Sequence, residues 1–143
     1  MNGDVVFADE VLTATRTETH RSLWLATDAE PGDDGWMLVL GADSRLTRLE
    51  LVRRGADVVG AGFFKSAGIL SLSATDGPRL ADWLDRAVRD GYADRHFDYV
   101  LRRHLPEIEI TGTPIDRGAW AEIDDATDLR RAARVFAPHG EHP

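Results

Sequence analysis

Two short apolar runs, Ser22-Leu-Trp-Leu-Ala26 and Trp36-Met-Leu-Val-Leu40, are separated by a stretch holding Pro31, Gly32, Asp33, Asp34 and Gly35. Aromatic and branched residues fit a pleated, packed surface, and the Pro, Gly and Asp cluster between them supplies turn chemistry, so the pattern predicts two strands joined by a loop over 28–35. The rest of the chain reads as mixed α/β. Residues 4–7 read as a short strand and 9–17 as an amphipathic helix with Val11 and Leu12 on its apolar side. A further strand is expected over 45–52, although Leu46, Leu49 and Leu51 do not alternate strictly. Residues 58–64 combine strand formers with Gly60 and Gly62, and glycine inside a strand marks a place where another backbone or a ligand comes close.

Helical spacing is clearer. Leu80, Trp83, Leu84, Ala87 and Val88 recur at three and four residues, predicting a helix over 78–90 with Gly91 just past its end as a C-terminal cap. Phe97, Val100, Leu101 and Leu105 predict a second helix over 97–105, closed by Pro106. Residues 107–111 alternate acid with isoleucine as a half-exposed strand does, and Gly112-Thr113-Pro114 is expected to break it. A last helix follows the capping pattern of Asp125 and Asp128 and carries Leu129, Ala132, Ala133 and Phe136. A chain of 143 residues supports one sizeable core, so a single domain over 1–137 with a flexible tail at 138–143 is expected.

Charge and composition remove several classes of function. Lys and Arg total 17 against 25 Asp and Glu, a net charge of -8, which argues against nucleic acid as a partner. No apolar run approaches the roughly 18 residues of a membrane span, and the acidic start does not resemble an export signal; a cytoplasmic protein without a membrane partner is expected. The absence of cysteine excludes disulfides, thiolate metal sites and thiol nucleophiles. Gly60-Ala61-Gly62 is followed by Lys65 where a dinucleotide loop requires glycine, and Phe64 stands where a Walker loop requires glycine. Simple close packing is the plainer reading of those glycines. The five histidines form no HxxxH pair and no Gly-x-Ser-x-Gly elbow is present. Arg102-Arg103-His104 and the Arg130, Arg131, Arg134 series could meet phosphate, or could be solvated helix faces.

Carboxylates are what remain. Asp4, preceded by Gly3, is read at the carboxyl end of a strand, where open α/β sheets bind ligands. Glu122 and Asp124 stand two apart in an extended segment and so share a face. Brought together, such groups would hold Mg²⁺, a hard ion that takes oxygen ligands and bridges to phosphates. The competing reading makes Asp124 or Asp125 a helix N-cap with Asp128 completing the pattern, and the two readings are compatible.

Asn2-Gly3-Asp4-Val5-Val6-Phe7, the segment Val59 to Ser66, and Trp120-Ala-Glu-Ile-Asp-Asp-Ala-Thr-Asp-Leu129 together resemble the sugar-phosphate nucleotidyltransferase superfamily, most closely its phosphocholine and phosphonate cytidylyltransferases. The resemblance implies condensation of a nucleoside triphosphate, CTP favoured, with a phosphorylated small-molecule acceptor, releasing pyrophosphate with the aid of Mg²⁺. It implies that Asp4 and Asp124 are the catalytic metal ligands, that Glu122 lines the same cavity, and that Gly60, Gly62 and Asp98 (beside Phe97) lie along the acceptor. Family members also carry a glycine-rich loop with Arg and a downstream Pro-Lys, which precede the Gly-Asp motif and grip the nucleotide. The expectation is therefore a partial Rossmann-like domain, a mixed sheet flanked by helices, lacking the N-terminal nucleotide-binding half. A missing N-terminal segment or a partner polypeptide would supply that half, and apolar surface would be left exposed without it. Two alternatives stand beside this: a noncatalytic binding or interaction module of the same descent, and a generic α/β domain in which Asp4 and Asp124 only cap.

Overall fold

The computed structural model describes residues 4–16, 20–53 and 62–136. Its centre is β2 (Ser22–Asp28), of whose seven residues the first six are buried. Side chains of a strand alternate between faces, so Trp24 and Ala26 enter one apolar cluster while Leu25 enters another on the opposite face. Around it lie β3 (Gly35–Leu40), β4 (Leu46–Val52), β5 (Phe63–Ser71) and β6 (Ile110–Pro114), in the order β4-β3-β5-β2-β6. All neighbours are antiparallel except β2 and β6, which run parallel and make the sheet mixed.

One face is covered by α2 (Asp76–Arg89) and α3 (Phe97–His104), whose Leu80, Trp83, Val100 and Leu101 pack with Trp24 and Leu38. The other face carries α1 (Asp9–Arg16) and a separate antiparallel ribbon of β1 (Val5–Phe7) and β7 (Trp120–Glu122). Val11 and Trp120 meet Leu25, Ala67 and Ile69 there. The chain ends its described part in α4 (Ala126–Phe136). No helix among the described residues is long and apolar enough to cross a membrane.

Local chemistry explains where these elements depart from the periodicity. Leu46 and Leu49 are both buried because the β3–β4 register shifts between Val39 and Leu40, so an extra residue changes which face the strand presents. The strand expected over 58–64 is observed from Phe63 to Ser71; residues 58–61 lie outside the described part. Its continuation is obscured in sequence by Gly68, which takes φ 70° where the β2–β5 register slips, an arrangement glycine adopts without a Cβ penalty. Ser66 closes that irregularity, its hydroxyl accepting from Gly68 N at 3.1 Å and from the buried Trp24 indole at 2.9 Å. β6 does not stop at Gly112 but runs to Pro114, tolerated because β6 is an edge strand. α2 begins at Asp76, two residues before the expected start, because Ser73 Oγ accepts the Asp76 N–H at 3.1 Å. Gly91 closes α2 as expected, with φ 87°.

Candidate active site

The register of the small ribbon places the acids. Val5 pairs with Glu122 and Phe7 with Trp120, and beyond the ladder Ile123 N–H donates to the Asp4 carbonyl at 2.8 Å. The start of β1 is thereby fixed beside the end of β7, and one carboxylate oxygen from each of Asp4, Glu122 and Asp124 lies within 4.8 Å of the others. Asp4 stands ahead of β1, at its amino end, and not at a strand's carboxyl end as the sequence reading has it. The helix cap is made by the neighbouring acid: Asp125 Oδ1 accepts from Thr127 N at 2.6 Å and Asp128 N at 3.0 Å, while Asp128 Oδ2 accepts from Asp124 N at 3.3 Å. Capping uses only the main chain of Asp124, so its carboxylate is available to the cluster.

The cluster borders a cleft of about 410 Å³ whose walls include Asp33, Asp34, Lys65, Arg117, Trp120 and Glu122. Lys65, the sole lysine of the chain, points into it from β5; its Nζ donates to Glu122 Oε2 at 3.2 Å and to the Asp34 carbonyl at 2.7 Å. The ammonium offsets part of the repulsion among three acids. Gly35 allows this approach, since it takes φ 87° and a Cβ there would lie 2.8 Å from Nζ. Opposite, Arg117 ties down the 28–35 loop: its guanidinium forks onto Asp33 at 2.5 and 3.1 Å and reaches the Asp28 carbonyl at 2.9 Å. Burial would raise the Asp33 carboxyl, but the bonds from Arg117 and the Glu30 N–H outweigh it and hold it below its ordinary value. The Trp120 indole N–H is buried without a hydrogen-bond partner among the described residues. A larger groove of about 660 Å³ lies between α2 and α3 and has no carboxylate cluster.

Of the residues singled out in the sequence, Asp4, Glu122 and Asp124 are brought together. Gly60 lies outside the described residues. Gly62 sits just ahead of β5 with φ 95°, its carbonyl accepting from Leu40 N at 3.1 Å, and does not line the cleft. Asp98 belongs to α3, in the layer on the opposite face of the sheet from the ribbon; it is 3% exposed and its Oδ2 lies 2.6 Å from His96 Nδ1. Burial pushes its carboxyl above the ordinary value against the pull of His96. Sequence reasoning passed over Lys65, Asp33 and Arg117. Lys65 carried a signal, as the chain's one lysine beside a glycine-containing strand, whereas the pairing of Arg117 with Asp33 spans 84 residues and leaves no local trace.

No family model matches the sequence. It is 24% identical over 127 residues to a 2-aminoethylphosphonate cytidylyltransferase of Lancefieldella rimae, a match covering 88% of this chain and 48% of that protein. The fold is similar to that of CTP:phosphocholine cytidylyltransferase (LicC) from Streptococcus pneumoniae, with a TM-score of 0.74 and 18% identity over 94% of this chain and 55% of that one. A Bacillus anthracis chain assigned as a glucose-1-phosphate thymidylyltransferase is more distant, with a TM-score of 0.54 and 10% identity over 97% of this chain and 55% of that one. The chain thus has the α/β nucleotidyltransferase fold and spans about half the length of the relatives it matches.

Proposed function

We propose, from the premise that this chain is a relative of the cytidylyltransferases and sugar-phosphate nucleotidyltransferases, that it forms the metal- and acceptor-binding half of an enzyme joining CTP to a phosphorylated small molecule with release of pyrophosphate. The observation that carries this reading is the convergence of Asp4 with Glu122 and Asp124, from two distant segments of the chain, at the edge of one cleft. An all-carboxylate donor set suits Mg²⁺, and the three oxygens lie within 4.8 Å of one another. In this reading Asp4 and Asp124 hold the ion. When bound, Mg²⁺ offsets the charge that builds on phosphate oxygens during in-line displacement at phosphorus.

The chain's own groups do the rest. Glu122 is shared between the cluster and Lys65, so an incoming phosphate can take over the ammonium while Glu122 turns to the acids' side of the cleft. Arg117 keeps the 28–35 loop against the cleft and restricts water there. The acceptor lies between Lys65 and the Trp120 wall. Gly62 acts by turning the chain into β5, and Asp98 acts through the packing of α3 on the sheet. The nucleotide-binding half, either preceding these residues or contributed by a partner polypeptide, grips the triphosphate and selects the base.

The test is pyrophosphate release from a panel of nucleoside triphosphates with phosphorylated or phosphonate amines and Mg²⁺, run on this chain alone and together with a nucleotide-binding segment. Release that prefers CTP, needs the added segment and disappears in Asp4→Ala and Asp124→Ala is expected. Turnover that survives Asp124→Ala overturns the assignment, and acceptor binding with no release under any condition identifies a noncatalytic module instead.

A further inference from the structure

The groove between α2 and α3 lies in the other layer and serves none of this chemistry. Its walls include Arg86, Arg95, Arg102 and Arg103 against the single acid Asp90, a local excess of positive charge on a chain whose net charge is -8. Arg86 is paired with Asp82. Among the described residues, Arg102 and Arg103 have no acidic partner, and both are exposed on the last turn of α3. The floor is largely aromatic. Trp83 lies flat on His104, with ring centroids 4.2 Å apart and planes 6° from parallel, and Arg79 covers it at 5.5 Å. Tyr99 is held edge-on by Trp36 at 5.0 Å, while Tyr92 is 47% exposed at the rim. Arginine with aromatic surface is the composition of interface anchors.

The charge and shape select among anions. A polyanion such as nucleic acid is repelled by the rest of the surface. A small phosphate would engage the guanidinium groups but leave the aromatic surface of Trp83, Tyr92 and Tyr99 uncovered. An acidic peptide matches both parts of the groove, with carboxylates for the arginines and apolar side chains for the aromatic floor. We infer that this groove docks an acidic segment of another polypeptide, anchored by an apolar or aromatic side chain between Tyr92 and Tyr99 and steered by Arg102 and Arg103.

The experiment is a fluorescence-anisotropy titration of this chain with a short labelled peptide alternating Glu with Leu and Phe. Its Gln counterpart, polyglutamate of equal length and inorganic pyrophosphate serve as comparison probes. Saturable, salt-sensitive binding of the acidic apolar peptide is expected, with the Gln peptide and polyglutamate each weaker by about tenfold or more. The double variant R102A/R103A should lose about tenfold in affinity with an unchanged thermal melt, and Tyr92→Ala should weaken binding at normal salt sensitivity. Asp124→Ala should bind as the parent does, which separates this surface from the proposed active site. The inference is overturned by failure of the peptide to saturate at millimolar concentration, by undiminished binding in R102A/R103A, or by displacement with pyrophosphate, which would mark a phosphate site.

Discussion

Lys65 and Glu122 join two layers of the protein: Nζ, rising from the five-stranded sheet, donates to Oε2 on the separate ribbon at 3.2 Å while also holding the Asp34 carbonyl at 2.7 Å. The lysine side chain is only 12% exposed, so its charge is screened weakly. Lys65→Met leaves Glu122 facing Asp4 and Asp124 without a cation. We expect a loss of about 1–3 kcal/mol in metal-free buffer. The same variant should gain a larger Mg²⁺-dependent rise in melting temperature than the parent, because a bound cation then relieves more repulsion. Thermal melts with and without Mg²⁺ check both.

Gly35 is required by the same contact. Its φ of 87° is one that L side chains rarely adopt, and a Cβ would press on Lys65 Nζ at 2.8 Å. Gly35→Ala should cost about 1 kcal/mol from backbone strain alone and more from displacing the ammonium. Gly32, also at positive φ but with open space around it, should show only the backbone part when changed to Ala. Comparing the two melts separates strain from crowding.

Acid should loosen the cleft at the 28–35 loop. The folded state holds the Asp33 carboxyl below its unfolded value, so the Arg117–Asp33 pair stabilises fully above the ordinary carboxylate range and is lost as pH falls through the lower, folded value. In Arg117→Gln this part of the acid sensitivity should vanish, with stability at neutral pH lower by about 1 kcal/mol. Denaturant unfolding of both proteins between pH 7 and pH 3 measures it, and hydrogen exchange in the loop should follow the same profile.

Much of the fold was readable because most elements obey local rules. The three-and-four spacing of Leu80, Trp83, Leu84 and Ala87, and the helical spacing of Phe97, Val100 and Leu101, correspond to α2 and α3. The apolar runs around Trp24 and Leu38 form β2 and β3. What was not readable depends on partners distant in the chain. Register shifts opposite Leu40 and Leu25 change which residues face the core; the broken alternation of Leu46, Leu49 and Leu51 and the glycine at Gly68 mark irregular strands, but where the shifts fall depends on the partner strands. The acids were legible by resemblance, and their meeting follows from the β1–β7 register. The cations that balance them were not, since Lys65 reaches Glu122 across 57 residues and Arg117 reaches Asp33 across 84. Asp98, singled out for the acceptor, is placed by α3 in the layer away from the acids.

Asp98→Asn should therefore act on stability. Burial raises its folded pKa above the unfolded one, so the wild-type fold loses stability as pH rises through the interval between those two values. Asparagine carries no charge to desolvate and can still face His96. The variant should equal the parent well below the ordinary carboxylate range and exceed it by about 1 kcal/mol at pH 7. Paired urea titrations at acid and neutral pH test this, and a raised KM for the acceptor with unchanged stability would place Asp98 at the substrate instead.

Whether Asp4 and Asp124 share one divalent cation is measured most directly by isothermal titration of Mg²⁺ into the parent, Asp4→Asn and Asp124→Asn, with Asp98→Asn as the distant control. One saturable event is predicted in the parent and in Asp98→Asn, weakened at least about tenfold, roughly 1.4 kcal/mol, in each of the other two. No saturable binding in the parent, or equal affinity in all four proteins, would contradict the account.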